Sequence, residues 1–128
     1  MEQRTHPRIN ADLVGQALSI EEGRATAELV GTSQMAADER GLIHGGFTFG
    51  LADFTAMLAV NDPNVVLGGS SSKFLAPVTV GQRMVAVATV QGSKGRRRTV
   101  SVVVTVEDKT VFKSEMACFV LDNHVLGE

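Results

Sequence analysis

One ionisable side chain stands in an otherwise apolar run. Residues 47–60 are apolar or small at nearly every position, and the single exception is Asp53. Taking an unpaired carboxylate out of water costs several kcal/mol, so a chain keeps one there only with partners or with a task. Just upstream lies His44-Gly45-Gly46, and just downstream Asn61-Asp62-Pro63, where the proline cannot continue a helical ladder. The pattern predicts a buried helix that starts near the glycine doublet and stops before Pro63. The amides of Gly45 and Gly46 then stand at a helix start, where backbone donors lack partners and the dipole favours negative charge. A carboxylate and an anion-holding amide tip are the parts needed to activate a nucleophile and to steady a developing negative charge.

The rest of the chain must position that helix. Residues 24–30 alternate as a strand does, and Gly31 ends the run. Residues 9–18 are expected to hold a short helical segment, capped by Asn10 or Asp12. After Pro63 the periodicity changes to two. Residues 65–67 and 70–75 read as one interrupted strand, with Gly68-Gly69 as a bulge. A turn region over 76–81 leads to a strand over 83–91, a hairpin loop over 92–95, and a strand over 98–107. In that last strand Val100, Val102, Val104 and Val106 share one face. A turn at Glu107-Asp108-Lys109 opens a final strand over 111–121. One strand, one long buried helix and four consecutive antiparallel strands make an α+β fold, a sheet curling around one central helix.

Composition narrows the function classes. A chain of 128 residues, 44% of them hydrophobic, forms one domain with a real core, read here as spanning 1–128. The net charge of -2 gives no general attraction to nucleic acid or to anionic membrane. One cysteine, Cys118, cannot form an internal disulfide, and three scattered histidines do not make a metal spacing. No stretch reaches transmembrane length and residues 1–7 hold no apolar signal core, so a soluble cytoplasmic protein is expected.

Taken together, His44-Gly45-Gly46, the acid nine positions after the histidine, and the order of helix and strands resemble the hotdog-fold acyl-CoA thioesterases. The phenylacetate-pathway (PaaI-type) and 4-hydroxybenzoyl-CoA thioesterase branch looks nearest. The likeness runs over residues 24–121 and includes Phe74-Leu75-Ala76-Pro77-Val78 with Gly81 after it. It implies an enzyme that hydrolyses a thioester to a free acid and coenzyme A, with no metal and no cofactor. It also implies Asp53 as nucleophile or general base and the Gly45 N–H as the group that polarises the thioester carbonyl, with His44 beside them. Two positions depart from the family pattern. Asp38 stands where an asparagine or glutamine is frequent, and Met57 stands where some members place a hydroxyl one turn after the acid.

Geometry adds a requirement of its own. Eight residues of helix separate Gly45 from Asp53, roughly 12 Å at about 1.5 Å per residue. Both groups must come within about 3 Å of one reacting centre. The expectation is therefore a homodimer, in which Gly45 of one copy meets Asp53 of the other, with a dimer of dimers (a homotetramer) also open. Asp53 would either attack to give a mixed anhydride or activate water.

Each further candidate has a plainer alternative. Gly46 serves the substrate or lets backbones approach closely. Phe47, Phe54 and Met57 line an acyl pocket or simply fill the core. Arg96 and Arg97, in the basic run from Lys94 to Arg98, clamp coenzyme A phosphates or form a solvated loop. No aromatic residue lies among those bases to support single-stranded nucleic-acid binding. The competing function is a non-catalytic acyl-CoA-binding or sensing protein on the same fold.

Overall fold

The computed structural model describes residues 1–127. The helix forms where the apolar run lies: α1 spans Gly45–Val60. It ends on Asn61, whose φ of 53° and ψ of 43° are left-handed, a conformation asparagine tolerates better than branched residues do. Ahead of α1 come β1 (Gln16–Glu21) and β2 (Arg24–Val30), and after it β3 (Val65–Phe74), β4 (Arg83–Lys94), β5 (Arg97–Val106) and β6 (Lys109–Val120). They form one six-stranded sheet in the order β1-β2-β4-β5-β6-β3, with every neighbouring pair antiparallel. The fold is thus α+β of the hotdog type, a curved sheet around one helix. Because β2 and β3 sit toward opposite edges, the chain between them carries α1 across the inner face.

Period-two patterning decides which face α1 covers. Ala25, Ala27 and Leu29 of β2, Met84, Ala86 and Ala88 of β4, and Val100, Val102 and Val104 of β5 are all buried. The alanines of β2 and β4 leave room for the bulk of Leu51, Met57 and Leu58 on the helix, all at most 1% exposed. α1 packs chiefly on β4, β2 and β5 and touches β6 and β3 less. The β3 side of the inner face is consequently left open.

Two segments differ from the sequence reading. Residues 9–18 are not helical: turns occupy 11–14, and β1 begins at Gln16. Asn10 does cap, but it caps a turn, its Oδ1 accepting from the amides of Asp12 (3.0 Å) and Leu13 (3.2 Å). β1 leaves little trace in the sequence because it is an edge strand with mostly exposed residues and a register shift between Ala17 and Ser19, which erases clean alternation. The 92–95 loop is likewise shorter than expected. β4 runs on to Lys94, the residue after the Val90/Gly92 register shift stays in the ladder, and only Gly95 and Arg96 turn the chain. The bulge at Gly68 lies where the glycine pair placed it, between Leu67 and Gly69.

The leading residues are fastened to the far end of the helix. Asn61, only 5% exposed, accepts at Oδ1 from the Arg4 amide (2.8 Å) and donates from Nδ2 to the Glu2 carbonyl (2.9 Å). The Met1 ammonium donates to the Ile20 carbonyl on β1 (2.8 Å).

Leu51 is fully enclosed between helix and sheet, so Leu51→Ala is expected to cost about 2–5 kcal/mol. The fall in the urea midpoint, with the slope unchanged, is the measurement that checks it.

Candidate active site

The start of α1 is held by backbone hydrogen bonds on both sides. The Ile43 amide donates to Val78 O (2.8 Å) and the His44 amide to Met35 O (2.9 Å), so the entry strand is fixed between the β3–β4 connection and the short helical turn Ser33–Met35. Phe47 N donates to His44 O at 3.0 Å, but the amides of Gly45 and Gly46 have no acceptor among the described residues. His44, the N-cap, offers no side-chain cap. Two bare donors therefore point out of a helix N-terminus, an arrangement suited to an anion or an oxyanion. Beside them lies a cavity of about 350 Å³, lined by Leu42, Gly45, Thr48, Phe74, Pro77 and Val78 among others. A β-carbon at Gly45 would meet the Phe74 ring at 2.9 Å, so glycine is what lets this ring lie against the amide tip. Thr48 is turned inward, its hydroxyl donating to Met84 Sδ at 3.3 Å.

Asp53 lies on a different face. Gly46, Phe49, Gly50, Asp53 and Val60 form the partly or fully exposed stripe of α1, flanked by buried positions. The carboxylate is half-buried and has no hydrogen-bond partner among the described residues. Desolvation alone raises its pKa above the ordinary 3.8. It lies within electrostatic reach of β6: burial, and then the charge of Asp53, push the Cys118 thiol up to about 11. Cys118 itself is fully buried and neutral, a core residue. Nothing lies within 4 Å of a β-carbon built at Gly50, so the helix is flat and open one turn before the acid.

The remaining candidates divide by place. His44 and Gly46 are exposed at the helix entry, with the His44 ring edge-on to Phe47 at 6.3 Å. Phe54 and Met57 are core residues at 2% and 1% exposure; Phe54 faces the leading segment, against His6. Arg96 and Arg97 lie at the other end of the sheet from Gly45. The Arg96 carbonyl accepts from Val120, which pairs with Val65 at the start of β3, whereas Gly45 adjoins Phe74 at its end. Arg96 forms an exposed ion pair with Asp122. The Asp38 carboxylate holds a local turn, its Oδ1 accepting from Arg40 N (3.0 Å) and Leu42 N (3.2 Å). One set of residues is invisible to sequence reasoning: Ser70, Ser72 and Ser114, which the β3–β6 register places on the inner face. A serine run in one strand and a lone serine in another carry no spacing signal that joins them.

A family model described as the thioesterase superfamily matches residues 40–113, the stretch that holds both the amide tip and the acid. The chain belongs to the thioesterase superfamily. Among solved structures, an uncharacterized protein from Pyrococcus horikoshii is 48% identical, with a TM-score of 0.97 over 98% of this chain and 97% of that one. The phenylacetic acid degradation protein PaaI of Thermus thermophilus, solved as a point mutant, is 28% identical, with a TM-score of 0.79 over 85% and 95% of the two chains. Among curated relatives, the methylthioribose-1-phosphate isomerase of Aquifex aeolicus is 43% identical over 100% of this chain but only 28% of that protein. The transcription factor FapR of Caldanaerobacter subterraneus is 27% identical over 92% of this chain and 60% of that protein. The chain thus spans less than two thirds of the length of these curated relatives. Among the described residues, no helix is long and apolar enough to cross a membrane.

In this thioesterase-superfamily chain the raised pKa of Asp53 sets a sign. The folded state holds the proton more tightly than the unfolded state, so stability falls as pH rises from about 3.8 through the folded value. Asp53→Asn is therefore expected to be more stable than the parent at pH 7, with the gain absent below about pH 3.8. Paired urea titrations at the two pH values measure it.

Proposed function

We propose that this chain hydrolyses acyl-CoA thioesters at a site completed by a second copy of itself. The observation that carries the reading is the separation of two unsatisfied groups on one rigid rod. The Gly45 amide opens beside a 350 Å³ cavity, while Asp53 sits on the uncovered stripe roughly 12 Å along the helix. A two-fold axis that brings two such stripes together supplies each amide tip with the other copy's carboxylate.

The edge of the sheet supports the same occupant. β3 is ten residues long, lacks proline and carries one charge, Lys73. Apart from the bulge near its start, a long edge with so little charge is a template for another strand unless something covers it. Gly50 and Gly69, with nothing within 4 Å of a β-carbon at either, flatten the surface that a second copy would meet.

In the proposed reaction the Gly45 N–H, assisted by the helix dipole, holds the oxyanion as the carbonyl is attacked. Asp53, in its ionised form, either activates water or attacks first. His44 and Gly46 flank the thioester, and Phe47 lines the approach. Phe54 and Met57 act from behind the wall, through its packing. Arg96 and Arg97 reach coenzyme A phosphates only from the partner copy, because in their own protomer they lie at the opposite end of the sheet. The likeness to FapR over most of the chain favours one alternative, an acyl-CoA-binding module without turnover.

Release of coenzyme A from a panel of short, long and aryl thioesters tests the reading. Turnover is expected, with an acid limb displaced above the ordinary carboxylate value, since burial raises the acid's pKa and the acid must be ionised. Asp53→Asn should lower kcat by about 10²–10⁴-fold while ligand affinity is kept; a sensor shows affinity and no turnover in the parent. Gly50→Leu, at a position with no neighbour inside the protomer, should convert the dimer to monomer in light scattering and abolish turnover with it. A monomeric parent that still turns over would sink the shared site.

A further inference from the structure

The inner face of the sheet is apolar wherever α1 covers it, but the register brings three hydroxyls onto the same face beyond the helix. Ser72 pairs with Ser114 across β3 and β6, Ser70 pairs with Met116, and Ser114 pairs with Val102 of β5. Met116 and Val102 are fully buried and Ser114 is 7% exposed. Solvent accounts for Ser71 and Lys73, whose side chains alternate to the outer face. It does not account for Ser114, which is buried between Phe112 and Met116 along β6 and opposite Val102 of β5.

These hydroxyls are linked to each other and incompletely satisfied. Ser72 Oγ lies 2.9 Å from Ser114 Oγ and donates to Ser70 Oγ at 3.4 Å. A hydroxyl has one proton and two acceptor positions. With the Ser72 proton directed at Ser70, Ser114 donates to Ser72, and the Ser70 proton has no acceptor among the described residues. The long second link leaves room for a ligand oxygen to compete for it. The chain of donors thus runs outward from a buried floor and ends in an unused O–H.

Its position ties it to the site. Along β6, Ser114 lies two residues from Phe112, which is met edge-on by Phe49 of α1 (6.4 Å) and by Phe74 of β3 (4.9 Å). Phe74 is also the ring that lies against Gly45. In the other direction Cys118, four residues on, lies within reach of the Asp53 charge. The trio therefore lies on the sheet wall between an aromatic patch and the acid, beside the open stripe of the helix.

We infer that Ser70, Ser72 and Ser114 set acyl-group specificity, selecting an acyl chain that carries a hydroxyl or keto oxygen over the plain hydrocarbon. The inference rests on the thioesterase reading, in which a second copy covers this part of the sheet and shuts out water. A covered face with an unused O–H discriminates against a ligand that leaves it unpaired.

The test uses a matched pair of non-hydrolysable thioethers, S-butyl-CoA and S-(3-hydroxybutyl)-CoA, in calorimetric titrations of the full chain. The hydroxylated ligand is expected to bind about tenfold more tightly, one well-made hydrogen bond's worth. Ser72→Ala should remove most of that preference. Ser70→Ala, at an exposed position that folding tolerates, should reduce it in the same direction. A preference that persists in both variants overturns the inference, and so does an equal loss for both ligands, which would make the trio a support for the thioester or its water. The butyryl and 3-hydroxybutyryl thioesters are assayed in parallel. Preference without cleavage upholds the trio and sinks the hydrolase, cleavage without preference does the reverse, and absence of binding overturns both.

Discussion

A stiff helix cannot bring its own amide tip to a side chain two turns along it. The rise per residue is fixed by the hydrogen-bond ladder, and nothing in α1 breaks that ladder between Gly45 and Val60. The chain nonetheless places its unpaired donors at one end of this rod and its unpaired acid in the middle, with apolar packing almost everywhere else. The rest of the molecule follows from keeping both groups presentable. Alanines on β2 and β4 draw the helix onto one half of the sheet, and the other half is left for whatever completes the arrangement.

The parts of the fold that are legible in the sequence are those where burial leaves a mark. The helix can be read because residues 47–60 exclude charge but for Asp53, and β5 because Val100, Val102, Val104 and Val106 repeat at two. β2 matches its expected bounds, and the glycine pair marks the bulge in β3. What is not legible lies at edges and in register. β1 is exposed and shifted, so its alternation is lost. Gly92 looks like the start of a loop but marks an irregularity inside β4, because a register shift and a turn draw on the same residue types.

The site divides in the same way. Asp53 and Gly45 stand out because a charge in an apolar run and a glycine doublet at a helix start are local oddities. The serine trio is a product of pairing: Ser72 and Ser114 are 42 residues apart and meet only because β3 returns to the far edge beside β6. Arg96 and Arg97, conspicuous as a cluster, lie at the wrong end of their own sheet for Gly45. Position along a chain signals which residues are unusual; topology decides which of them share a chamber.

One residue joins events that look separate. Asn61 closes the last turn of α1 with its backbone N–H, which donates to Met57 O, and with its side chain grips the backbone of Glu2 and Arg4. Peeling of the leading residues and fraying of the helix terminus are therefore a single cooperative opening, not two independent ones. Anything that tugs at the amino end, such as a fused domain or a tether to a surface, is felt at the base of the rod that bears the acid.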